Sequence, residues 1–135
     1  MSTILDMSNI SELIMVDIGL WNKKVNEYNR MLITVDTGAS VTTIATDLLH
    51  TLGYDVSSSK KSRIITASSV EYVNVVTLEK IVIGTIELNH VTVYAHNFPE
   101  SSFSMGVLGL NVLKQFDVYF HFSKNEMELI DFAKR

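Results

Sequence analysis

The stretch Leu32-Ile33-Thr34-Val35-Asp36-Thr37-Gly38-Ala39-Ser40-Val41 constrains this chain more than any other. Met31 to Val35 reads as a buried strand, and it runs without a spacer into a carboxylate. An ionised Asp at the end of such a strand is costly unless something satisfies or uses it. Gly38 supplies the backbone freedom of a sharp turn and lets another segment approach closely. Thr37 and Ser40 set hydroxyls beside the carboxylate, and Ala39 keeps the space small. The local physics describes one carboxylate at the tip of a rigid, crowded loop. Asp-x-Gly alone is ordinary turn chemistry, so the rest of the chain must decide whether Asp36 does more than cap its own loop.

A length of 135 residues is enough for one domain, 1–135, with a real core, and too short for two ordinary lobes. Hydrophobic residues make up 47% and charged residues 19%, a globular rather than disordered balance. The formal net charge is −4 and basic residues never run longer than a pair, which argues against nucleic acid or an anionic membrane as partner. The chain has no cysteine, so disulfides, a thiol nucleophile and Cys-bound zinc are excluded. No segment approaches the roughly 20 apolar residues needed to span a bilayer. Met1 to Ser11 lacks the basic and apolar regions of a signal peptide. The expectation is a cytoplasmic protein with a loose N-terminal arm over residues 1–11.

Strand patterns dominate beyond that arm. Glu12 to Trp21 is apolar and β-branched, Asn22 to Arg30 reads as a polar connection, and Met31 to Val35 returns as a strand. Val41 to Ile44 is a short strand. Thr46 to Gly53 carries the marks of a brief helix, with Leu48, Leu49 and Leu52 on one face and Gly53 at its stop. Ser57 to Ser62 is a solvated loop. Arg63–Thr66, Val70–Lys80, Ile81–Ile83, Thr85–Leu88 and Val91–Ala95 read as strands, with turns at Gly84 and Leu88-Asn89-His90. His96 to Met105 is a loop, Leu110 to Gln115 a short helix, Asp117 to Phe122 a strand, Ser123-Lys124-Asn125 a turn, and Glu126 to Asp131 a closing strand. Phe116, Val118, Phe120 and Phe122 form a core stripe. The fold class is all-β and barrel-like, with two short helices.

Far downstream of the Asp36 turn comes a second apolar segment, Gly106-Val107-Leu108-Gly109-Leu110-Asn111-Val112-Leu113. Together, Asp-Thr-Gly-Ala-Ser and this segment resemble the retropepsin-like aspartic proteases, the single-lobed family that includes the retroviral enzymes. The order, separation and intervening strands match from about Leu13 to Ile130. The resemblance implies a closed barrel-like acid-protease lobe and an aspartic endopeptidase acting on peptide or protein substrates, without a cofactor.

Aspartic protease chemistry needs two carboxylates, and two like charges packed together share one proton and titrate as a unit. One member acts as base toward water while the protonated member polarises the scissile carbonyl. A chain with one motif builds that pair only by joining a second copy across a two-fold axis, so a homodimer is expected and a monomer should be inert. The resemblance assigns Asp36 as the catalytic carboxylate, one per subunit. It gives Thr37 a bond across the axis, places Gly38 against substrate and the opposing carboxylate, and puts Ala39 and Ser40 on the cleft floor. Val107, Leu108 and Gly109 brace the loop from beneath. The flap falls on Ile64 to Val75, with Ala67, Ser68, Ser69 and Val70 at its tip. Val41, Ile44, Ile65 and Val70 are expected to shape apolar subsites. Chain termini, Glu126 to Arg135 and Met1 to Ser11, are candidates for the dimer interface.

The chain also departs from the retroviral pattern. Ser68-Ser69 replaces glycine at the flap tip. Leu110 and Ser40 occupy positions where the retroviral enzymes carry a paired Arg and acid. The Ala-Ser form looks more like bacterial and cellular members of the family. Asp17 lies in a weaker Asp-x-Gly string and reads as an outward strand position. His50, His90, His96 and His121 fit no ligand spacing, so no metal is expected, and no Ser/His/Asp elbow is present. The competing reading is a non-catalytic dimerisation or peptide-binding module with the same fold.

Overall fold

The computed structural model describes residues 1–65, 67–99 and 104–133. Strand β2 (Met15–Asn22) buries Val16, Ile18 and Leu20 on its inner face and leaves Asp17 outside, where it pairs with Arg30 at 2.5 Å. That alternation is what a strand with one face on a core requires. β2 turns through four residues into β3 (Glu27–Val35), with Asn26 left-handed at φ 53°. The polar stretch before Met31 is therefore mostly strand: pairing with β2 runs from Glu27, and Tyr28 packs edge-on against Trp21.

β4 (Thr43–Ala45) leads directly into helix α1 (Thr46–Thr51), which buries Leu49 and hands over at Gly53, φ 93°. β5 (Lys61–Ile65) and β6 (Val70–Ile83) form a hairpin, and β6 returns through Gly84-Thr85 into β7 (Ile86–His96). β6 and β7 are each continuous where the pattern suggested several shorter strands. Leu88-Asn89-His90 is not a turn; His90 adopts φ 54° inside β7 while pairing holds its register on both sides, Lys80 to Asn89 and Leu78 to Val91. Cross-strand burial of Leu78, Ile81 and Leu88 outweighs the local turn signal of Asn-His.

β8 (Gly106–Leu108), helix α2 (Leu110–Leu113), β9 (Phe116–His121), a 3₁₀ turn at Phe122–Lys124 and β10 (Glu126–Asp131) complete the chain. Strands β2-β3-β8-β4-β7-β6 are hydrogen-bonded in that order, and β6 pairs back to β2 through Gly19–Val82 and Leu20–Ile81. The six strands thus close a barrel, as the all-β expectation required, with β5 attached outside the ring on β6. Ile18, Ile33, Ile44, Leu78, Ile81 and Leu108 fill the interior. Phe116 belongs to this core, but Phe122 is 68% exposed because the strand ends at His121.

Residues 2–6 are not a loose arm. They form strand β1 (Ser2–Asp6), antiparallel to β10 from Ser2–Ile130 to Asp6–Glu126, with Thr3 and Leu5 buried. The Thr3 hydroxyl accepts the Thr85 N–H at 3.1 Å, tying β1 to the β6–β7 turn. Only the bend from Ser8 to Ile14 keeps an irregular path. The resulting sheet has the order β1-β10-β9, so β10 has a neighbour on each side. Both edges of β10 are therefore paired within the chain. Thr66, residues 100–103 (within the stretch expected to be a loop from His96 to Met105), and Lys134 and Arg135 lie outside the described residues.

Candidate active site

β3 delivers Asp36 to the surface. It pairs in parallel with β8, Thr34 to Val107 and Val35 to Leu108, and the Asp36 N–H continues that ladder by donating to the Leu108 carbonyl at 3.1 Å. The chain then turns on itself. The Gly38 N–H donates to Asp36 Oδ1 at 2.8 Å, and the Ala39 N–H donates to the Asp36 carbonyl at 3.2 Å. Asp36, Thr37, Gly38 and Ser40 are exposed in the single chain. The desolvation expected at the end of a buried strand is thus avoided, because Val35 is the last residue to pack before the loop emerges.

The loop is held by the segment after β8. Leu110 N–H donates to the Ala39 carbonyl at 2.8 Å and Asn111 N–H to the Ser40 carbonyl at 3.1 Å. Gly109 lies where the two segments cross. A Cβ built there would stand 2.7 Å from the Val41 carbonyl carbon and 2.9 Å from both Ala39 O and Thr42 N, all backbone atoms with little room to move. Its dihedrals, φ −102° and ψ −176°, suit any residue. The requirement for glycine is therefore one of space.

Thr42 and Asn111 lock this crossing and were not singled out by sequence reasoning. Thr42 is fully buried. Its hydroxyl accepts the Gly109 N–H at 3.0 Å and donates to Asn111 Oδ1 at 2.8 Å, an oxygen that also accepts the Thr42 N–H at 2.8 Å. Asn111 Nδ2 then donates to the Thr92 carbonyl on β7 at 2.8 Å. One side chain thereby ties both crossing segments to the barrel wall. The pair is 69 residues apart, and no local pattern marks it.

Val107, Leu108 and Gly109 thus lie under the loop of Asp36, Thr37, Gly38, Ala39 and Ser40. Ala67, Ser68, Ser69 and Val70 lie at the bend of the β5–β6 hairpin, exposed. Between loop and hairpin is a cleft of about 290 Å³ lined by Asp36, Ile64, Glu71, Val73, Tyr94 and Phe98, among others. Ile44 does not reach it: that side chain is fully buried in the core, which removes it from the apolar subsites expected of it. Ile65 and Val70 are 70% and 52% exposed and do not line the cleft either; strand alternation gives that role to Ile64, Glu71 and Val73. Among the described residues no group of three or more His, Asp or Glu is placed to hold a metal. His96 borders the cleft, and His121 meets Glu128 at 3.0 Å. No helix among the described residues is long and apolar enough to cross a membrane.

A six-stranded barrel whose Asp-Thr-Gly loop is braced by a crossing Gly segment defines a retropepsin-like aspartic protease fold. The chain belongs to the gag-polyprotein putative aspartyl protease family, whose profile matches residues 22–115. Among solved structures it is similar to a retropepsin-like aspartic protease from Rickettsia conorii, with 22% identity over 96% of this chain and 89% of that one, at a TM-score of 0.64. It is also similar to the retroviral protease-like domain of Ddi1 from Leishmania major, with 11% identity over 91% of this chain and 96% of that one, at a TM-score of 0.60. These likenesses show the shared fold. No curated protein sequence matches the chain.

Proposed function

We propose that the chain is an aspartic endopeptidase that works as a homodimer, with one Asp36 from each copy at the two-fold axis. The observation that carries this reading is the exposed carboxylate at the tip of a loop cross-braced from beneath, facing a cleft under a hairpin. One carboxylate per chain is half of the required pair, and its exposure leaves it free to meet its symmetry mate. Brought together, the two share a proton. The ionised member takes a proton from water as the water attacks the scissile carbonyl, and the protonated member polarises that carbonyl. Thr37 holds the two loops in register, and Gly38, Ala39 and Ser40 form the floor. The β5–β6 hairpin acts as the flap that excludes water. The whole chain serves as one catalytic domain.

The test is cleavage of a mixed peptide library from about pH 4 to about pH 7 by the wild type and by Asp36→Asn. The substitution removes the titrating group while nearly preserving shape. Cleavage should fall at least about a thousandfold in the variant, and activity should track the dimer fraction measured by sedimentation. Equal cleavage by both proteins would refute the reading. Silence from both at a concentration where dimers are present would leave the peptide-binding module, the reading that Ser68-Ser69 at the hairpin tip favours.

A further inference from the structure

The cleft holds a second carboxylate, one that the chemistry above does not use. Glu71 on β6 sits opposite Ile64 on β5. Strand alternation puts Ile64, Glu71 and Val73 on the hairpin face that looks toward Asp36, and all three line the cleft. Glu71, Val73 and His96 also border a neighbouring hollow of about 540 Å³ that reaches Thr46, Val56 and Asn74. Glu71 therefore borders both depressions.

Three features describe what this carboxylate would meet. Among the described residues its side chain has no ion-pair or hydrogen-bond partner. Neither depression is lined by any Lys or Arg of the described residues. The nearest basic residue on the hairpin, Arg63, pairs with Tyr72, which borders the larger hollow, but Arg63 itself lines neither depression. Finally, the smaller cleft beside Glu71 is walled mainly by Ile64, Val73, Tyr94 and Phe98, with the His96 ring at its border. The larger hollow is more polar, with Thr46, Tyr72, Asn74 and Asn97. An acidic group at the rim of an apolar channel matches a long basic side chain, whose methylenes pack on the walls while its charged head reaches the carboxylate. A negatively charged peptide would meet repulsion from both Glu71 and Asp36.

We propose that Glu71 makes this cleft select peptides that carry Lys or Arg beside the scissile bond. The proposal rests on the peptidase reading for its position relative to the cleaved bond. In a two-fold dimer the site occurs twice, so the preference should appear at two positions, one on each side of that bond. Because Glu71 is exposed, the attraction should weaken as salt is added.

The experiment varies one residue at a time, as Lys, norleucine or Glu, in a peptide that the wild type cleaves. The ratio of kcat/KM for Lys over norleucine should be about tenfold at the two symmetric positions, as one charge-assisted contact provides. In Glu71→Gln the ratio should fall to about one, and in Glu71→Lys the Glu peptide should become the better substrate. A Lys preference that survives Glu71→Gln overturns the proposal while leaving the peptidase intact. Calorimetric binding of the same peptides to the Asp36→Asn chain reads the subsite without cleavage. Tighter binding of the Lys peptide, lost when Glu71→Gln is added, supports the proposal even if the wild type cuts nothing. Equal affinities, or no binding of either peptide, overturn it.

Discussion

The loop at the floor of the cleft and the hairpin above it are both exposed, yet they are built in opposite ways. Around Asp36 every turn of the backbone is tied to something else: to Leu108 and Gly38 directly, and to Leu110 and Asn111 through Ala39 and Ser40. Thr42 and Asn111 carry those ties into the barrel. The hairpin is tied mainly to itself. β5 has only β6 as a neighbour, and β6 gains β7 as a second partner only from Asn74 onward. Its outer side chains, Ile65, Val70 and Tyr72, are more than half exposed. Exposure therefore does not measure rigidity; cross-bracing does. On the proposed reading, the carboxylate meets its twin and needs fixed backbone, whereas the roof admits a peptide and needs few buried contacts, so that it can open at low cost.

The sharpest way to break this contrast is at Gly109. Gly109→Ala forces a Cβ into three backbone atoms within 3 Å, and repacking of that kind should lower stability by about 3 kcal/mol in urea unfolding. Because the displaced segment is the brace of the Asp36 loop, cleavage should be lost even under conditions where the protein remains folded. A variant that kept both stability and activity would show that the crossing is looser than its geometry.

Asn111→Ala probes the same floor with a smaller effect. It removes the acceptor of two hydrogen bonds from the fully buried Thr42 and the donor to Thr92. Unsatisfied buried groups of this kind cost about 1–3 kcal/mol, and about 2 kcal/mol is expected here. kcat should fall more than KM rises, since the loop loses its position rather than its substrate contacts. At the far end of the scale is Ser68→Gly at the hairpin bend. Stability should stay within about 0.5 kcal/mol of wild type, while KM and kcat shift together as the roof loosens. A stability loss as large as that of Asn111→Ala would mean the hairpin is braced after all.

Much of the floor was legible in the sequence because it is written locally. An apolar strand ending in Asp-Thr-Gly-Ala-Ser, a distant Val-Leu-Gly, and a helix from Thr46 stopped by Gly53 are each short signals whose physics does not depend on the rest of the chain. Glu126–Asp131 was read correctly because its alternation is uninterrupted. The misread stretches depend on partners far away. Ser2–Asp6 is polar at both ends and becomes a strand only because β10, 120 to 128 positions later, offers its edge and Thr85 meets Thr3. Leu88-Asn89-His90 looks like a turn until β6 lies beside it.

The sequence by itself determined the family the chain resembles, that it carries one Asp-Thr-Gly loop, and that strands would dominate around it. Tertiary structure decided which way Ile44 and Glu71 face. Barrel closure through β2 and β6 buried Ile44, which the sequence placed in a subsite, and turned Glu71, which the sequence left unremarked, toward the cleft. It also joined Thr42 to Asn111 across 69 residues. The reason is physical: propensity and turn chemistry act over a few residues, while facing and pairing are set by the register between strands that only the closed barrel brings together.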